Sequence, residues 1–177
     1  MLPERLRPIG FDTWEKESWE QYSERLSLPP DDATQQFYRQ VIYDHFRHFN
    51  EFYPRFDTDR YVSTMVTMTA AEAYESVAYF GIKPMREWAW QYDQYEKENS
   101  GYLVFREMST RLTFPFPPIL LDASRLDSDG RGYGHPLHLI EGTHRVSYLN
   151  RMLERSIIAA DSEHQFVLLQ PLPAGTG

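Results

Sequence analysis

Leu137-His138-Leu139-Ile140-Glu141-Gly142-Thr143-His144-Arg145 is the stretch that decides the fold. Its apolar alternation predicts a strand over 137–140, and Gly142 supplies a sharp exit. Thr143 stands where a helix N-cap belongs, and the pattern behind it predicts a helix over 143–155. Val146, Leu149, Met152 and Leu153 recur at the spacing of a buried helical stripe. The charges of this helix oppose its macrodipole, with His144 and Arg145 in the first turn and Glu154 near the end. A helix that opens on cations presents bare N–H groups to an anion, supplied either by Glu141 or by a bound phosphate.

Outward from this turn, 165–169 reads as a final strand, and Pro117-Pro118-Ile119-Leu120-Leu121-Asp122 as a short buried one. Between them, the Gly-rich 127–134 is a loop. The first two-thirds of the chain reads as helices, over 11–26, 33–53, 70–80, 84–98 and 103–112. Thr69-Ala70-Ala71-Glu72 has the form of a capping box, Pro54 ends the second of these segments, and Gly81 ends the third. A short strand is allowed over 61–68. The expected organisation is a helical region over 1–114, an α/β core over 115–170 and a disordered tail over 171–177. The fold class is α+β, with the helical region packed on a small mixed sheet.

The chain has 177 residues, enough for a proper core, and its 41% hydrophobic and 15% aromatic content excludes general disorder. A net charge of −8 argues against a nucleic-acid partner, since little cationic surface is left to neutralise phosphates. The absence of cysteine removes disulfides, thiolate catalysis and Cys-based zinc sites. No apolar run is long enough to cross a membrane and no signal core opens the chain, so a cytoplasmic location is expected.

Glu141, at a strand end beside a helix start, is placed to act as a general base or to hold Mg²⁺. Arg145 either grips a phosphate or pairs with Glu141 or Asp122. Gly142, Thr143 and His144 offer backbone N–H groups to the same anion, and Arg131 is a loop cation able to close over it. His138, Glu141 and His144 are spaced by threes, but strand and helix are separated by Gly142, so no metal centre is expected.

The order strand, Glu-Gly-Thr-His-Arg, helix, strand resembles the ParB/sulfiredoxin-like superfamily, over the C-terminal third of the chain. The resemblance implies an α/β core in which the Gly142–Arg145 turn grips nucleotide phosphates, ATP or CTP with Mg²⁺. It also implies phosphoryl transfer or NTP hydrolysis with Glu141 and Arg145 as the catalytic pair. The reactive cysteine of sulfiredoxins is replaced by Thr143, which excludes that chemistry. On this reading Arg145→Ala abolishes nucleotide binding and leaves the fold nearly intact. The alternative is a non-enzymatic protein-binding module, such as an immunity or inhibitor protein. Its helices, rich in Trp88, Trp90, Tyr92 and Tyr95 beside Glu87, Asp93 and Glu96, suit a basic protein partner.

Overall fold

The first α-helix begins at Trp19 rather than at Phe11. In the computed structural model, which describes residues 2–80, 82–125 and 132–172, the expected helix over 11–26 shortens to α1 (Trp19–Arg25). Gly10, at φ +69°, makes a turn in which the Thr13 amide donates to the Gly10 carbonyl at 2.8 Å. The helix is delayed until Ser18 and Gln21 close a reciprocal capping box. Asp31 caps α2 (Asp32–Phe37), a π-helical stretch (Tyr38–Tyr43) follows, and α3 (Asp44–Phe52) ends just before Pro54. These elements belong to a first unit, Met1–Thr64 with Leu169–Gly177. Its core is aromatic: Tyr22, Phe37, Phe49 and Tyr53 are buried along with Ile42, and the Tyr22 hydroxyl donates to the Leu6 carbonyl at 2.8 Å. The apolar spacing in 33–53 therefore does mark one buried face.

Met65–Leu168 forms the second unit. A mixed five-stranded sheet runs in the order β1 (Tyr61–Thr69), β5 (Glu163–Pro171), β3 (Ile119–Asp122), β4 (Leu137–Glu141), β2 (Val77–Ala78). Tyr61–Thr64 and the last residues of β5 fall in the first unit. With its helices, this sheet makes the protein α+β. Thr69 and Glu72 form the expected capping box of α4 (Ala70–Ser76). That helix stops four residues short of the expected end, because Val77 and Ala78 pair in parallel with Leu137 and His138 of β4. The expected boundary between residues 114 and 115 lies inside this unit, and residues 126–131 and 173–177, Arg131 among them, lie outside the described residues.

Two strand–helix units stand side by side here. Short β2 leads into α5 (Ile82–Glu98), and β4 leads into α7 (Thr143–Glu154). Trp88 meets His144 at 4.1 Å between rings, Tyr92 meets Tyr148 at 5.6 Å, and Glu96 holds Arg155 at 2.8 Å. The partners rise in step along both helices, so α5 and α7 run in the same direction, as parallel strands feeding them require. The two helices therefore start beyond the C-terminal ends of their strands, where open α/β sheets place their ligands. The third helix of this layer, α6 (Leu103–Arg111), packs Phe105 against Tyr92 of α5. Among the described residues, no helix is long and apolar enough to cross a membrane.

Candidate functional site

Glu141 ends β4 opposite Ile119 of β3, and the chain then turns at Gly142 with φ +105° and ψ 30°. Gly142, not Thr143, is the N-cap of α7, and Thr143 is the first helical residue. Only glycine fits. The backbone is left-handed, and a Cβ would lie 3.0 Å from Cβ of Pro118 and 3.1 Å from Nε and Nη2 of Arg145. A glycine N-cap contributes no side-chain acceptor, and no carboxylate stands in the first turn. The first intrahelical bond to Gly142 is from the Val146 amide at 2.9 Å. The Thr143, His144 and Arg145 amides precede it and have no intrahelical acceptor.

The Arg145 side chain folds back under this turn and is only 8% exposed. Nη1 donates to the carbonyls of Phe116 at 2.8 Å and Pro117 at 3.4 Å, and Nη2 donates to Glu141 Oε1 at 3.3 Å. Burial pulls the guanidinium below its ordinary pKa, with the Glu141 charge opposing. Of the two carboxylates considered from the sequence, Glu141 is the partner; Asp122 accepts from the amide and hydroxyl of Ser124. The cation thus ties the segment entering β3 to the end of β4. Removing it takes the donor from the Phe116 carbonyl and the cation from Glu141, so the expectation that Arg145→Ala spares the fold does not suit this geometry.

Around the turn stands an aromatic rim that includes Trp88, one of the residues the sequence offers as an anchor for a protein partner. The His144 ring lies 4.1 Å from Trp88, 5.9 Å from Tyr102 and 6.0 Å from Tyr148. Burial lowers its pKa, Glu141 opposing and Arg145 adding to the fall, so the imidazole is neutral at pH 7. Tyr102, partly exposed, feels both Arg145 and Glu141. Tyr148 is fully buried and its hydroxyl has no hydrogen-bond partner. The signal for this rim was the four-residue step shared by Trp88/Tyr92 and His144/Tyr148, which fits two packed helices. Nothing local in the sequence brought Tyr102 to them.

His138 does not join the site. It lies an odd number of residues from Glu141 on β4 and so on the opposite face. There it accepts from the Gly134 amide at 3.0 Å, enclosed by Tyr79, Phe80 and Tyr133. Among the described residues, no group of three or more His, Asp or Glu is disposed to hold a metal ion. Two of the acidic positions considered for a basic partner are already engaged within the unit. Asp93 binds Arg151 at 2.5 Å and Arg155 at 3.0 Å, and Glu96 also binds Arg155. The chain matches no family model, no curated protein and no solved structure.

Proposed function

We propose that the Gly142–Arg145 turn binds the phosphates of a nucleotide, ATP or CTP with Mg²⁺, in a core of the ParB/sulfiredoxin-like type. The observation that carries this reading is the bare start of α7: three unbonded amides, a left-handed glycine cap and no first-turn carboxylate. In this reading the Thr143 and His144 amides contact the phosphate. Arg145 fixes the turn from beneath, its charge paired with Glu141. Glu141, with its side chain 31% exposed, would hold the metal ion or take the proton from an attacking hydroxyl as the terminal phosphoryl group passes to that oxygen and the nucleoside diphosphate leaves.

A thermal-shift titration with ATP and CTP, with and without Mg²⁺, tests it. A ligand at 100 times its Kd adds about 2.7 kcal/mol, which raises the melting temperature by several degrees. Glu141→Gln is expected to keep that shift and lose any turnover. A second reading, a non-enzymatic protein-binding module, is favoured by the engagement of Arg145 with three acceptors and by the exposure of Trp90, Leu103 and Phe116. A flat titration with every nucleotide would decide for that module.

A further inference from the structure

A second uncapped helix start adjoins the first. Tyr102 is the N-cap of α6, its side chain caps nothing, and no carboxylate stands in the first turn of that helix. The first intrahelical bond of α6 is from the Arg106 amide to the Tyr102 carbonyl at 3.0 Å, leaving the amides of residues 103–105 without an intrahelical acceptor. The ring of this N-cap residue lies 5.9 Å from that of His144, in the first turn of α7. Two positive helix ends therefore border one region.

Tyr148 points to a ligand there independently. It is 0% exposed, yet its hydroxyl is unpartnered. Helical side chains lean toward the N-terminus, which carries the phenol back along α7 over His144, 6.0 Å away ring to ring. Its hydroxyl interacts electrostatically with Tyr95 and Tyr102, and Tyr102 with Arg145 and Glu141. A buried phenol with no partner is costly unless something supplies one. Arg145 and Glu141 largely offset each other in charge, so the attraction for an anion comes from the two sets of amides.

Resting on the phosphate reading above, we infer that the starts of α6 and α7 together bind a condensed phosphate, a diphosphate or longer, with Tyr148 donating to one of its oxygens. Two separate amide clusters have no use for a lone phosphate. They suit the chain of linked phosphates in a nucleoside di- or triphosphate.

The test compares inorganic phosphate, pyrophosphate and tripolyphosphate by calorimetry on the whole chain, with ATP and CTP alongside. Pyrophosphate and tripolyphosphate are expected to bind at least tenfold more tightly than phosphate. Leu103 is 55% exposed, and Leu103→Glu puts a carboxylate in the first turn of α6. It is expected to keep or raise the melting temperature while removing the advantage of the longer anions. Tyr148→Phe is expected to weaken pyrophosphate about fivefold, the effect of one neutral hydrogen bond, with no loss of melting temperature. If phosphate and pyrophosphate bind equally, or if Leu103→Glu changes nothing, the inference fails and the single-helix phosphate reading stands. If none of the anions or nucleotides binds, the phosphate reading itself has failed.

Discussion

Gly142 and Arg145 are two halves of one device. The absent Cβ of the glycine leaves room for the guanidinium, and the guanidinium binds the strand end that the glycine terminates. Gly142→Ala must adopt φ +105° and push against Pro118 and Arg145, so it is expected to cost roughly 2–3 kcal/mol in urea unfolding. Arg145→Ala removes the donor to the Phe116 carbonyl and the cation that pairs with Glu141. The expected loss is roughly 2–4 kcal/mol, held below the fully buried case because Glu141 reaches solvent. An Arg145→Ala protein as stable as wild type would show that the guanidinium contributes no net stability. The sequence does disclose the importance of both residues. It cannot disclose that Arg145 reaches two carbonyls nearly thirty positions upstream, because backbone acceptors leave no mark in residue identity.

At the scale of elements, local chemistry was legible wherever it was sufficient. The Thr69 and Glu72 box starts α4 where expected, because both partners lie within one turn. Thr69→Ala is accordingly expected to lower stability by about 1 kcal/mol, measured as a shift in the urea midpoint at unchanged slope. Reading failed where a distant partner decided the outcome. Val77 and Ala78 continue the helical pattern of α4, yet they become β2 because β4 offers a parallel ladder sixty residues later in the chain. The same applies to the aromatic rim. Trp88 and Tyr92 stand out in the sequence as helix aromatics, but their meeting with His144 and Tyr148 depends on α5 and α7 running parallel. The start of α1 was misplaced for a local reason, since the apolar spacing of 11–26 hid the turn that Gly10 makes.

At the scale of the whole molecule, three buried or half-buried histidines make stability depend on pH. His138 is fully buried, and desolvation, aided by the charge of His135, pushes its pKa from 6.5 down to about 4. Burial also lowers His144 and His164; the latter ring is held between the hydroxyls of Thr113 at 2.9 Å and Ser162 at 3.0 Å. The folded state thus prefers each ring neutral. Between pH 6.5 and 4 these rings bind more protons in the unfolded chain than in the folded one, so the stability they contribute falls as pH falls through that window and is gone below it. His138 alone accounts for about 3 kcal/mol across the window. Urea midpoints measured from pH 7.5 to 4.5 are expected to decline, and His138→Gln is expected to flatten the curve. A wild-type midpoint constant over that range would contradict the buried neutral state of these rings.

The bonds at the base of the β3–β4 connection bear on what can be added to this protein. Ala123 donates its amide to the Pro136 carbonyl at 3.0 Å, and Gly134 donates to His138 while pressing against the backbone of Ala78, where a Cβ would collide. These bonds hold the approach to β4 against the end of β3 and against β2. A fluorogenic tag spliced directly after Gly134 would pull that clamp apart and is expected to lower the melting temperature, so this point of the chain is one where an added sequence is not carried for free.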